Sequence, residues 1–247
     1  MAAINDNLQA VAARIREAAH AAGRDPSMVR LLAVTKTQPL SAIESAYAAG
    51  LRSFGENYVQ EAVDKRAALA GLAGLQWHLI GPLQGNKTRV AAESFDWVQS
   101  VDRERIARRL SDARPADASP LNVLIQVNVS GESTKSGVAP AETAALAHMV
   151  ANLPRLRLRG LMAVPEPTED RNVQAERFRT VRGLFDRLNE EGLGLDTLSM
   201  GMSQDLEAAV AEGSTMVRVG TAIFGERSKG TLARPPATPM AQRKESQ

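Results

Sequence analysis

The chain has 247 residues, with 30 lysines and arginines against 28 aspartates and glutamates, 44% hydrophobic residues and 4% aromatic ones. That balance belongs to a globular protein with ample core, and a net charge of +2 without interleaved basic and aromatic residues gives no general attraction to nucleic acid or anionic membrane. The absence of cysteine removes disulfides, thiolate catalysis and cysteine-bound zinc, and agrees with a cytoplasmic protein.

The opening Met1-Ala-Ala-Ile-Asn-Asp6 has no basic segment followed by an apolar one, and no run approaches a membrane span, so neither export nor anchoring is expected. From Asn5 to Ala22 the residues Leu8, Val11, Ala12, Ile15, Ala18 and Ala19 recur at helical spacing, and Gly23 is a stop signal. A short apolar strand, Leu31 to Lys36, follows; it ends in a lysine that is either a candidate nucleophile or a solvated strand-end charge. Ser41-Ala-Ile-Glu44 reads as a capping box opening a helix that Gly50 closes. Arg52 to Gly55 is a second strand, and Asn57 to Leu69 a helix.

The alternation continues with a strand over Gln76–Gly81, a helix over Asn86–Ala92 and a strand over Trp97–Val101, after which Asp102 is a candidate cap for a helix reaching Leu110. Asn122–Asn128 is the strongest strand, with its helix at Ala141–Leu153. A strand over Leu158–Val164 precedes a helix over Val173–Glu191, and the strands Thr197–Gly201 and Met216–Gly220 flank a helix that Gly213 ends. About eight strand and helix units fit a single TIM-type (β/α)8 barrel with an N-terminal helix over residues 1–228. A doubly wound open sheet is the alternative, disfavoured by the even rhythm and the missing dinucleotide fingerprint. Residues 229–247, with Arg234-Pro-Pro-Ala-Thr-Pro239, read as a disordered tail.

In such a barrel the ends of the strands converge on one mouth, which would gather Lys36, Asn57, His78, Met200, Met202, Ser203 and Gly220. Ser199-Met-Gly-Met-Ser203 and Gly220-Thr-Ala-Ile-Phe224 each open a helix at the last two strand ends, where barrels often bind phosphate. Taken singly, either segment could be only an N-cap or a tight turn. Gly81-Pro-Leu-Gln-Gly-Asn-Lys-Thr88 resembles a Walker loop but carries Asn86 where that motif needs glycine, so nucleotide hydrolysis is disfavoured. The three histidines have no partners at ligand spacing and no metal site is expected; His78 reads equally as pocket or core.

A lysine amine paired with a phosphate cradle points to a phosphorylated aldehyde held as a Schiff base, of which pyridoxal 5′-phosphate is the commonest example. The amine attacks only when neutral, a state that desolvation and a nearby cation such as Arg218 would both favour. Arg218, inside the last strand, is a candidate donor to the pyridine nitrogen, and an ion pair within the barrel is its plainer role.

Long motifs then carry a resemblance. They are Ala33-Val-Thr-Lys36-Thr37, Phe54-Gly-Glu-Asn57-Tyr-Val-Gln-Glu61, Trp77-His78-Leu-Ile-Gly-Pro-Leu-Gln-Gly-Asn-Lys87 and Val127-Asn-Val-Ser-Gly-Glu-Ser-Thr-Lys135-Ser-Gly137. With Arg159-Gly-Leu-Met162-Ala-Val-Pro165, Met200-Gly-Met-Ser203-Gln-Asp-Leu-Glu-Ala-Ala209 and Arg218-Val-Gly-Thr221-Ala-Ile-Phe-Gly225, the chain resembles the pyridoxal phosphate homeostasis protein family as far as about Arg227. The resemblance implies a barrel similar to the N-terminal domain of alanine racemases, with pyridoxal 5′-phosphate covalently on Lys36, phosphate against Ser203, Gly220 and Thr221, and Arg218 beside the pyridine nitrogen.

Asn57, His78 and Met200 match pocket motifs with less defined roles, and Gln204 stands where the family pattern has an acidic residue. The resemblance also implies a cytoplasmic, monomeric carrier that buffers the cofactor, delivers it to apoenzymes and affects amino-acid and keto-acid balance without established catalysis. The alternative is a pyridoxal-phosphate-dependent amino-acid racemase. That reaction needs a second base, for which the only tyrosines, Tyr47 and Tyr58, leave Tyr58 as the sole candidate.

Overall fold

The computed structural model describes residues 2–131 and 136–225. Its centre is a closed barrel in which the strands β1 to β8 pair in sequence order and β8 returns to β1, every pairing parallel. The strands are β1 Arg30–Val34, β2 Ser53–Glu56, β3 Gln76–Leu79, β4 Trp97–Val101, β5 Leu121–Val127, β6 Leu156–Ala163, β7 Thr197–Ser199 and β8 Met216–Val219. Parallel neighbours need a crossover of a dozen or more residues, and helices supply it. These are α2 Leu40–Ala48, α3 Val59–Ala68, α4 Thr88–Ser94, α5 Glu104–Ala113, α6 Thr143–Ala151, α7 Arg171–Glu190 and α8 Leu206–Ala211. Helix α1, Ala2–Ala21, precedes the barrel, and a single turn, α9 Thr221–Phe224, follows β8.

Two-residue alternation along each strand divides the core in two. Ala33 of β1, Phe54 of β2, Trp77 of β3 and Leu198 of β7 belong to the large cluster between strands and helices. Trp97, Leu124 and Met162 form a separate cluster. The most extensive strand pairing is that of β5 and β6, the two longest strands, from Leu121 against Leu156 to Val127 against Ala163. No helix of the described residues is long and apolar enough to cross a membrane.

Local signals behave less simply than the strand order. The capping box expected at Ser41 does not form: α2 begins at Leu40 behind Pro39, with no side-chain cap, and the Ser41 carbonyl instead accepts from Ser45 Oγ. Pro39 itself occupies the N-cap position, and its ring has no oxygen with which to accept from the first-turn amides. Asp102 does not cap α5 either; it pairs with Arg103 at 2.6 Å. Ser203 lies in a turn ahead of α8, whose N-cap position is Asp205. The Gly81 to Thr88 segment serves packing. A Cβ on Gly81 would fall 2.3 Å from the Asn57 carbonyl oxygen, so glycine is required where the β3 exit crosses the β2 exit. The expected tail over 229–247 and the loop containing Lys135 lie outside the described residues.

Candidate functional site

A cavity of about 490 Å³ opens at the barrel mouth formed by the carboxyl ends of the strands. Five of the eight sequence-derived site residues line it: Lys36, Ser203, Arg218, Gly220 and Thr221. They arrive from the ends of β1, β7 and β8, which closure places side by side although 167 residues separate Lys36 from Ser203.

Lys36 lies two residues beyond β1, in a tight turn closed by the Gln38 amide donating to the Thr35 carbonyl at 2.9 Å. Along β1 and its extension, Val34 and Lys36 share the inward parity, and both line the cavity. Arg218 shares it on β8, where the residue is 4% exposed. Nη1 donates to the Ser199 carbonyl at 2.6 Å and to Ser199 Oγ at 2.7 Å, and Nη2 donates to the Ala163 carbonyl at 2.7 Å. Three of the five guanidinium donors are thus committed; the Nε proton and the second Nη2 proton have no acceptor among the described residues, so two directed donors remain for a ligand. Burial pushes the Arg218 pKa down to about 10, opposed by the nearby Asp205 carboxylate, and the side chain stays charged at neutral pH.

Two turns complete the wall. Gly201, at φ +95°, swings the chain after β7 so that Met202 to Asp205 fold back; Asp205 Oδ1 accepts from the Met202 amide at 2.5 Å. The amides of Ser203 and Gln204 have no acceptor among the described residues, nor do those of Thr221 and Ala222 in the first turn of α9. These four N–H groups belong to residues that line the same cavity, and such uncommitted donors suit a dianionic phosphate. Burial raises the pKa of Asp205, while the Met202 amide and Arg218 oppose that shift. The residues present therefore fit a phosphorylated aldehyde: an amine, a buried cation with two open donors, and a cluster of anion-accepting amides.

Three expected residues lie elsewhere. Met200 does not line the cavity; the alternation that turns Ser199 inward turns Met200 out, and it is fully buried in the cluster between barrel and helices. His78 faces inward on β3 but sits below the mouth, 1% exposed and stacked on Trp97 with ring centroids 5.1 Å apart. Burial, with a contribution from Arg30, drives its pKa down to about 3 and holds the ring neutral. Asn57 is half-buried at the β2 exit and packs against Gly81. Tyr47 donates to the Ala73 carbonyl under a stacked Arg52, and Tyr58 is 61% exposed; neither lines the cavity.

The cavity also recruits residues that sequence reasoning missed. Arg14 of α1 donates to the Ser203 carbonyl at 2.9 Å and pairs with Glu207 at 2.8 Å, tying the N-terminal helix to the turn after β7. Gln38, Thr168 and Gln174 contribute from the exits of β1 and β6 and from α7. Arg14 lies on the polar side of a helix whose periodicity signals only packing, so the sequence holds no trace of its partner 189 residues away.

A parallel barrel with a lysine turn, a buried inward arginine and two anion-accepting turns at one mouth defines the alanine racemase N-terminal domain class, and the chain matches that domain over residues 7–228. An alanine racemase from Clostridium difficile superposes with a TM-score of 0.75 at 13% identity, covering 92% of this chain and 57% of the racemase, a likeness of fold. Within the class, the chain belongs to the pyridoxal phosphate homeostasis protein family. A Pseudomonas aeruginosa protein of that name is 62% identical over 233 residues, covering 94% of this chain and 100% of its own. PipY of Synechococcus elongatus, solved with pyridoxal phosphate bound, aligns at 37% identity and TM-score 0.77, covering 90% of this chain and 100% of PipY.

Proposed function

We propose that the protein binds pyridoxal 5′-phosphate as a Schiff base on Lys36 and serves cytoplasmic homeostasis of that cofactor, holding it, releasing it to apoenzymes and so affecting amino-acid and keto-acid balance. The observation that carries this reading is the sharing of one cavity by Lys36, the two open Arg218 donors and the four uncommitted amides of the Ser203 and Thr221 turns. When bound, the cofactor would supply an aldehyde that Lys36 would hold through its amine, with loss of water.

The protein's residues do the rest. Ser203, Gly220 and Thr221 take the phosphate, and Arg218 faces the pyridine nitrogen. A permanent cation there disfavours protonation of that nitrogen and weakens the ring as an electron sink, which suits a holder better than a catalyst. His78 acts from beneath through Arg218, and Asn57 shapes the β2 exit beside the mouth. Tyr58, turned to solvent, is poorly placed as a second base for racemisation. The carrier is taken to act as a monomer.

The test is to add pyridoxal phosphate to purified protein, reduce with borohydride and locate the adduct by peptide mass spectrometry. Modification of Lys36, lost in Lys36→Ala, is the expected result. A wild-type protein with no Lys36 adduct would overturn the reading.

A further inference from the structure

Just behind the lysine turn lies a buried ionic cluster that the cofactor site does not use. Lys65 of α3, with an 8% exposed side chain, donates to Glu56 Oε1 at 2.8 Å, to Glu61 Oε1 at 2.7 Å and to the Thr35 carbonyl at 2.7 Å. An ammonium has three protons, and all three are committed here. Glu56, fully buried, also accepts from Thr35 Oγ1 at 2.6 Å. Glu61 Oε1 also accepts from the Thr37 amide at 2.5 Å. The two residues flanking Lys36 are therefore both held by one cluster.

The backbone explains why such a hold is needed. Thr37 has φ +62°, a left-handed conformation that is costly for a β-branched residue. Left to itself the turn would relax toward an extended path, and an extended path changes the direction in which Lys36 leaves the backbone. Buried ion pairs contribute little net stability when compared with well-packed apolar side chains, so a cluster that commits all three ammonium protons beside a strained turn, and leaves Glu56 Oε2 buried without a partner among the described residues, points to conformational control.

We infer that Lys65, Glu56 and Glu61 form a clamp of positioning residues that forces the Thr35–Gln38 turn into its strained form and so aims the Lys36 amine into the cavity. The clamp rests on the cofactor reading for its purpose, although its mechanical part stands on this chain alone. Glu61 is the partly exposed member, with a 25% exposed side chain, and can be removed without leaving a new charge in the interior; Lys65→Met leaves Glu56 buried without its partner.

The experiment uses cofactor-free protein first. Amide hydrogen exchange at Thr37 and Gln38 is expected to speed up at least tenfold in Glu61→Ala and in Lys65→Met, and Lys36 labelling by trinitrobenzenesulfonate, read by peptide mass spectrometry, to change at least threefold. Adding Thr37→Gly to Glu61→Ala should return the labelling rate toward wild type, because glycine enters the left-handed region without strain. That rescue would not follow from general loss of stability. If Lys65→Met does not fold, the Glu61→Ala pair decides alone. Unchanged exchange, unchanged labelling or absence of rescue overturns the clamp. Borohydride trapping on the wild type is read separately: no adduct there sinks the cofactor reading while the cofactor-free measurements still judge the clamp.

Discussion

Arg218 at the barrel mouth and His78 beneath it are joined by an unbroken run of hydrogen bonds. Arg218 Nη1 meets Ser199 Oγ at 2.7 Å, Ser199 Oγ meets Gln99 Oε1 at 2.6 Å, and Gln99 Nε2 meets His78 Nδ1 at 3.0 Å. Guanidinium can only donate, so the Ser199 hydroxyl gives its own proton to the Gln99 carbonyl oxygen. The amide is thereby oriented to donate to His78, which places the imidazole proton on Nε2. That atom is buried without a partner among the described residues. The run fixes the Arg218 fork from below.

Ser199→Ala and Gln99→Leu should therefore loosen Arg218 without touching the ligand, and cofactor release into a scavenging apoenzyme should speed up by about three- to tenfold, the effect of one net hydrogen bond. Arg218→Ala should release it faster, by about tenfold or more, as expected for a charged donor. In all three, borohydride should still trap an adduct on Lys36. Retention equal to wild type in Arg218→Ala would contradict its assigned place beside the pyridine ring.

A histidine held neutral by burial makes the fold acid-sensitive. The unfolded His78 titrates near its ordinary value of 6.5 and the folded one near 3, so between these values the unfolded chain binds the extra proton. Its contribution to stability is fully present above pH 6.5 and is lost progressively as the pH falls toward 3. At pH 4.5 the loss should be about 2 to 3 kcal/mol, from two units at about 1.4 kcal/mol each. Urea denaturation of wild type and His78→Gln at pH 7 and 4.5 checks this. The variant should show the smaller difference between the two pH values, and equal differences would mean that His78 takes up a proton in the folded state.

Arg14 gives the N-terminal helix a part in the site. Its pair with Glu207 is largely solvent-exposed, so Arg14→Ala should change thermal stability by no more than about 1 kcal/mol. The same substitution frees the Ser203 carbonyl and should speed cofactor release about two- to fivefold, close to the effect of Ser203→Ala. Measuring release and melting temperature together separates the two consequences. Unaltered release in Arg14→Ala would confine α1 to a packing role.

Strand order was legible because apolar runs bounded by turn residues repeat eight times with helical spacing between them, and a parallel sheet of that rhythm closes most simply as a barrel. That Lys36, Ser203, Arg218, Gly220 and Thr221 would meet at one mouth was legible because each stands at or near a strand end, and all five line one cavity. That Met200 lies outside the cavity was not legible, because proximity to a strand end says nothing about parity, and one residue is the difference between the cavity and the outer core. The Ser41 and Asp102 caps were misread because a capping pattern competes with proline entry in one case and with an adjacent arginine in the other.

The sequence by itself determined the alternation, the lysine at the end of the first strand and the motifs that mark the family, since these depend on residue type and short spacing. Tertiary structure alone decided that the cluster of Lys65, Glu56 and Glu61 holds both neighbours of Lys36, that Arg14 reaches the Ser203 turn and that His78 supports Arg218 from within. Those relationships exist only after the barrel closes, because closure brings side chains from distant segments within hydrogen-bond range, and burial then sets their charge states.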